Sequence, residues 1–295
     1  MLLLHRAGGT TMDSFFNTKT EIFDFSRSCM QIWAHGSTVL GVGTSAPRAP
    51  LDKAVLASLT SQYWRVSVVD LTASTQSDLA ELVKSKSVKS GDVIATEYQS
   101  AGRGRLERTF EAAPGSALLF SFYISPKRVR AEWGFISHLA ALTMQEIISA
   151  DLVSKVMLKW PNDILIDDFK VAGLLAQAAD DGVIIGLGLN VAMAKEELPV
   201  ETATSLAIAG SKKLDRNFIL SEFLNRFESN FTKWDSGEDF VDSYSAVCAT
   251  LGREVQIEVI GRENRKGKAL SINKDGALLL VDGFEVNVGD VVHLR

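Results

Sequence analysis

Between Tyr98 and Phe110 the chain reads YQSAGRGRLERTF, with Gly102 and Gly104 set among Arg103, Arg105 and Arg108 and with Gln99 just upstream. Glycine lets the backbone approach a ligand closely, and the planar guanidinium fork matches the paired oxygens of a carboxylate or phosphate. A loop with so few apolar side chains gains little order from burial, so its order must come from something it binds. A phosphate-handling loop fits this composition, and so does a solvated basic loop; the stretch alone does not separate the two.

Three further stretches carry candidate chemistry. Lys159-Trp160-Pro161-Asn162-Asp163 sets a flat aromatic wall beside short hydrogen-bonding side chains in a rigid turn, although a plain turn between strands would read the same. Lys170 begins an apolar run, where an ammonium is costly to bury without an anion. Its partner is either Asp167 or Asp168, or the carboxylate or phosphate of a ligand, and Gly173 removes bulk where such a ligand would approach. Gly186-Leu-Gly-Leu-Asn190 lacks the third glycine of a dinucleotide turn. Its backbone and the Asn190 amide suit an adenine edge or, equally, a strand end.

Composition bounds the remaining possibilities. The 295 residues are 46% hydrophobic and 23% charged, ordinary for a globular chain. A net charge of −5 gives no reason to expect nucleic acid as the main partner. Two distant cysteines and four scattered histidines offer no zinc spacing and no disulfide framework. No apolar run reaches the ~20 residues needed to span a bilayer, and MLLLHRAGG is too short for a signal-peptide core. A cytoplasmic protein with no membrane partner is the expectation. Gly41-x-Gly43-x-x-Ala46 is followed by prolines rather than a helix, which removes it as a dinucleotide fingerprint. Gly261 to Ala269 has one residue too many for a phosphate loop of the Walker type and lacks the Ser or Thr that holds magnesium. There is no G-x-S-x-G elbow, so a hydrolase is disfavoured.

These stretches need elements to position them. Residues 1–50 mix Gly, Ser and Thr with isolated aromatics and end in a proline-marked linker; they show no helix-turn-helix pattern, and Met12 or Met30 is an alternative start. Leu51 to Leu59 has helical spacing, and Val66 to Leu71 reads as a strand. Ser74 or Thr75 suits the cap of a helix carrying Leu79, Leu82 and Val83. Val93–Thr96 and Ala117–Ile124 are strands that enter and leave the arginine loop. Phe135–Ser149 is helical, and short strands flank KWPND and continue through VAGLLAQA and Val183–Gly186. Asn217 to Trp234 places Ile219, Phe223, Phe227, Phe231 and Trp234 on one helical face. After Leu251 only short strands and tight turns remain, the pattern of a small β-barrel. The fold class is therefore α+β, with an extension over 1–50, a main domain over 51–249 and a small barrel over 250–295.

In order and spacing, STQSDLA, EYQSAGRGR, KWPNDI, KVAG with LLAQ after it, GLGLN and ATSL resemble the biotin–protein ligase family, over roughly Leu51 to Arg295. The resemblance implies a mixed-sheet catalytic domain of the biotin/lipoate ligase type with a small C-terminal SH3-like barrel, in a monofunctional ligase without a DNA-binding domain. It also implies two chemical steps. Biotin's carboxylate attacks the α-phosphate of ATP to give biotinyl-5′-AMP and pyrophosphate; a lysine of a biotin carboxyl-carrier domain of an acyl-CoA carboxylase then takes the biotinyl group and releases AMP. Positioning and charge neutralisation carry such chemistry without a protein nucleophile, with Mg2+ held through the phosphates and no protein metal site.

On the same resemblance, Ser74, Thr75 and Gln99 would bind the ureido head of biotin. Gly102 and Arg103 would close over the ring and carboxylate, with Trp160 and Gly173 lining the pocket. Arg105 and Arg108 would meet the phosphates, and Lys170 would bridge carboxylate and phosphate oxygens. Phe110, Asn162 and Asn190 would face the nucleotide, and Asp163 would orient the incoming lysine. Lys170, Arg105, Arg103 and Asp163 form the expected catalytic group. The chain departs from the family's G-R-G-R-x-G-R-x-W at Glu107 and Phe110. Phe110 keeps an aromatic lid, whereas Glu107 sets a negative charge among the arginines and puts catalytic efficiency in question. A lipoate–protein ligase and a non-catalytic biotin-binding module are the rival readings.

Overall fold

The run ALLFSFYI forms β3 (Ala117–Ile124), buried along its whole length. Its alternation decides the architecture, because successive side chains point to opposite faces. Phe120 and Phe122 reach the aromatic helix face behind the sheet, while Ser121 and Tyr123 face the other way. The computed structural model describes residues 48–105, 108–258, 263–287 and 289–294, which belong to one compact unit. The expectations for residues 1–47, for Glu107 and for Gly261 lie outside the described residues. Arg265 to Ala269 is strand rather than phosphate loop.

Around β3 stand β1 (Arg65–Thr72), β2 (Asp92–Gln99), β4 (Val156–Lys159), β5 (Asp163–Ile166), β6 (Phe169–Ala179) and β7 (Gly182–Asn190). The sheet order is β1-β2-β3-β7-β6-β5-β4. The β1–β2 pair is parallel and the other pairs are antiparallel, so this is the expected mixed sheet. GLGLN completes β7 rather than following it, with Asn190 in register opposite Ala117.

One face of the sheet is covered by helices α1 (Lys53–Leu59), α3 (Phe135–Ser149) and α4 (Arg216–Asp235). Asp52 starts α1 by accepting from Ala54 N and Val55 N, and Asp215 starts α4 by accepting from Asn217 N. The apolar stripe on α4 lies against β3, with Phe120–Phe223 and Phe122–Phe227 ring centroids 5.3 and 4.9 Å apart. Truncating a buried phenylalanine of this kind costs about 3–5 kcal/mol. Helix α2 (Thr75–Lys84) lies on the opposite face, burying Leu79 and Val83 with Tyr123 and Ile184. It leaves the rest of that face open.

Beyond the short helix α5 (Val241–Ala246), which no strong apolar period announces, come β8 (Glu254–Glu258), β9 (Arg265–Ile272), β10 (Leu278–Leu280), β11 (Glu285–Val286) and β12 (Asp290–His293). They form an antiparallel five-stranded sheet ordered β11-β10-β9-β8-β12, of the SH3-like type. Its Asn273–Gly276 turn is closed by the Asn273 side chain, which accepts from Asp275 N and Ala277 N. The turn abuts the main sheet, where the Trp160 indole N–H donates to Gly276 O at 2.9 Å. Among the described residues no helix is long and apolar enough to cross a membrane.

Candidate active site

On the open face of the sheet lies a cavity of about 210 Å3. Its floor is polar where the sheet is otherwise apolar. Thr75 N donates to Gln99 Oε1 at 2.9 Å, and Thr75 Oγ1 lies 2.8 Å from Ser121 Oγ. Ser121 donates in turn to Gln76 Oε1, whose amide nitrogen donates to Ile184 O. Ser74 caps α2 through its backbone conformation alone; its hydroxyl makes no capping bond and lines the cavity. Buried hydroxyls and amides held in this way are satisfied by one another and pre-set for a small polar head group. The glycines of β7 make room for this layer. A Cβ at Gly186 would stand 2.6 Å from Gln76 Oε1, and one at Gly188 would stand 2.6 Å from the Phe110 ring.

The strands β4 to β6 make one wall. Lys170 is fixed through its backbone, donating to Thr202 O and accepting from Thr204 N, each at 2.8 Å. Its ammonium pairs with Asp163 Oδ1 at 2.6 Å. Asp167 and Asp168, the partners proposed for it from sequence, point elsewhere: Asp167 accepts from Lys155 N and Asp168 lies 3.6 Å from Arg253. Gly173 sits opposite Asp163 in the β5–β6 ladder, and the Lys170 Cε and Nζ occupy the space over it. Trp160 is buried, lines the cavity and ties the wall to the C-terminal sheet.

The arginine loop makes the other wall. Gly104 N donates to Arg108 O at 2.7 Å and Phe110 N to Gly102 O at 3.0 Å, so the loop folds back as a narrow hairpin bridged at Arg103 and Thr109. Arg103 is exposed at the rim. Asp290, the first residue of β12, lies 2.8 Å from Arg108 and 3.4 Å from Arg105. Arg105 also donates to Gly289 O at 3.0 Å.

Most residues expected at the site therefore surround one cavity; two stand outside it. Asn190 is buried outside it, and its amide is spent on Thr204 O at 2.9 Å. Gly102 also lies outside the lining, and its tight approach is to the Phe110 carbonyl. Asn162 lines the cavity, yet its amide donates to Leu174 O while Leu174 N donates to Asn162 O. The side chain thus locks the KWPND turn to β6.

Sequence reasoning missed Gln76, Ser121 and Asp290. Ser121 carried a signal, since a lone hydroxyl inside ALLFSFYI is costly to bury without a partner. Asp290 carried none, because it reaches the loop from the far end of the chain.

Two histidines sit where the C-terminal sheet meets this site. Burial pushes His138 down to about 4, against a Gly134 carbonyl bond that pulls the other way and with help from the nearby Arg105 charge. Burial also lowers His293 to about 4, reinforced by the positive charges of Lys159 and Arg253. His293 Nε2 lies 3.0 Å from Thr250 Oγ1, which accepts the Trp160 backbone N–H.

Comparison with known proteins agrees with this arrangement. The biotin/lipoate A/B protein ligase family matches residues 68–190. The chain is 35% identical over 260 residues to the biotin–[acetyl-CoA-carboxylase] ligase of Mycobacterium tuberculosis, covering 84% of this chain and 97% of that one. It is 30% identical to the bifunctional ligase/repressor BirA of Bacillus subtilis over 72% of this chain and 67% of that one. The Aquifex aeolicus biotin protein ligase in complex with biotin and ATP superposes with a TM-score of 0.66 at 28% identity, covering 78% of this chain and 99% of that chain. The chain belongs to the biotin/lipoate A/B protein ligase family, on its biotin–protein ligase branch.

Proposed function

We propose that this protein adenylates biotin with ATP and transfers the biotinyl group to a lysine of a carboxylase's biotin carrier domain in the cytoplasm. One observation carries the reading. A polar floor, a lysine ammonium and the loop arginines converge on a single cavity in which no described residue is a nucleophile activated by a base.

The Ser74, Thr75, Gln99 and Ser121 layer suits the fused ureido head of biotin, which offers N–H donors and a carbonyl acceptor within one small ring. Trp160 walls the apolar side, and Arg103 reaches the carboxylate end from the rim. Lys170 then stands where biotin's carboxylate and the α-phosphate of ATP must meet. Its charge offsets the repulsion between two anions and the charge growing on the bridging oxygen, an effect worth about 3–4 kcal/mol per well-placed group. Arg105 and Arg108 hold the phosphates and draw charge toward the leaving pyrophosphate. Phe110, close over Gly188, supplies the surface on which adenine stacks.

In the second step the carrier lysine attacks the biotinyl carbonyl and AMP leaves. Asp163, which fixes Lys170, also offers a carboxylate to orient the incoming amine. Among the described residues no group of three or more His, Cys, Asp or Glu could hold a metal. A magnesium ion would come in on the phosphates and neutralise their charge there. The test is incubation with biotin, ATP and a purified carrier domain: the expected product is the carrier with one biotinyl group on one lysine. No mass change in a carrier that another biotin ligase does modify would overturn the reading.

A further inference from the structure

We propose that Glu97, Arg216 and the Arg48–Leu51 segment form a clamp that sets the base of the arginine loop, making Glu97 and Arg216 positioning residues for the reaction. The inference rests on the ligase reading and adds a part of the machinery that lies outside the cavity. Arg216, in the first turn of α4, is 2% exposed. Its guanidinium pairs with Glu97 Oε2 at 2.6 Å and also donates to Ala49 O at 2.7 Å and Ala117 O at 3.3 Å. The other Glu97 oxygen accepts from Leu51 N at 2.6 Å. Arg48 reaches across to Ala192 O and to Glu197.

These partners mark the two ends of the loop. Glu97 lies two residues before Gln99, whose amide oxygen anchors Thr75, and Ala117 is the residue at which β3 begins. Gly115 N donates to Glu97 O at 3.1 Å, closing the base by a backbone bond. Gly115 holds φ +71, and a Cβ there would stand within 4 Å of Arg48, Arg216 and Glu97 together. Glycine alone adopts that backbone at little cost.

Stability is a weak reason for such a pair, because an apolar pair of similar volume is often as stabilising as a buried ion pair. What the charges do here is geometric. They fix Ala49 O and Leu51 N, which lie in no strand, and Ala117 O at the start of β3. A tilt at Glu97 would carry Gln99 and the root of the loop with it. A loosened base leaves a smaller fraction of molecules with the loop poised, and apparent affinity falls by that fraction.

The experiment uses full-length protein and two readouts. One is the rate of trypsin cleavage after Arg103, Arg105 and Arg108, followed by mass spectrometry with and without biotin and ATP. The other is the KM for biotin set against kcat in biotin-dependent ATP–pyrophosphate exchange. For Glu97→Gln we expect loop cleavage and the biotin KM to rise about five- to twentyfold, with kcat at saturation within about twofold. Arg48→Ala cuts the strap and leaves the pair intact, so it reports even if Glu97→Gln fails to fold; its expected rise is smaller and in the same direction. A lowered melting temperature with loop cleavage and KM unchanged in Arg48→Ala, and in any folded Glu97→Gln, would overturn the proposal. If wild-type protein shows no biotin-dependent exchange, the ligase reading fails instead, while trypsin sensitivity of the ligand-free loop still reports on the clamp.

Discussion

The two walls of the cavity are held in different ways. The strand wall is built from ladder hydrogen bonds and buried apolar side chains: Ile164 and Leu174 point into the core, Lys170 is locked by backbone bonds to Thr202 and Thr204, and Trp160 is pinned to Gly276 O. The loop wall buries little. Its own hairpin bonds give it shape, and Asp290 of the C-terminal sheet gives it a position by pairing with Arg105 and Arg108. A carboxylate thus stands beside the arginines proposed to meet phosphate. A rigid wall can hold the Lys170 ammonium still, while a wall fixed by exchangeable charge pairs can release one anion and take another. The division suits a reaction that must admit ATP, retain a reactive adenylate and later open to a protein.

The sharpest break comes on the strand wall. Lys170→Met keeps the backbone bonds and removes the charge, so adenylation should fall about 10²–10³-fold with the melting temperature nearly unchanged, measured by pyrophosphate exchange and thermal unfolding. On the loop wall the expected effect is smaller. Asp290→Ala leaves Arg105 and Arg108 without their anion, and trypsin should cut the loop about three- to tenfold faster, a modest range because Asp290 is buried but its Arg108 partner is open to solvent.

The histidines at the junction make the strand wall's support depend on pH. His138 and His293 have folded values near 4, below the ordinary histidine value of about 6.5. Their neutral-state contribution is complete above about 6.5 and is lost as pH falls through that window, because the unfolded chain binds protons that the folded chain refuses. Stability should drop by about 1 kcal/mol for buried His138 between neutral pH and about pH 5.5, and by less for the half-exposed His293, whose charge is screened by solvent; this is seen as a lower melting temperature, and His138→Phe should flatten the curve. Smallest is Trp160→Phe, which keeps the aromatic wall and loses the bond to Gly276 O. About 1 kcal/mol should be lost, a shift of about 2–4 °C in melting temperature.

The strand wall was also the more legible of the two. The continuous apolar run of β3 and the stripe of phenylalanines on α4 announce their elements, and Ala117–Ile124 and Phe135–Ser149 fold with the boundaries the pattern indicates. The loop's arginines were visible as chemistry, but not the carboxylate that places them, since Asp290 is joined to them only by tertiary folding. Asn190 shows the converse. Its amide looks available in a linear reading, and only the return of the chain at Thr204 consumes it. Local period reports backbone state and burial, whereas the partner of a polar group is decided by whatever the fold brings beside it.

The most direct measurement of the central claim is biotin-dependent exchange of labelled pyrophosphate into ATP, with lipoate as the alternative acid. Exchange with biotin and not with lipoate, lost in Lys170→Met and retained in Asp290→Ala, is the predicted result. Exchange with lipoate in place of biotin, or none with either acid in folded protein, would contradict the account.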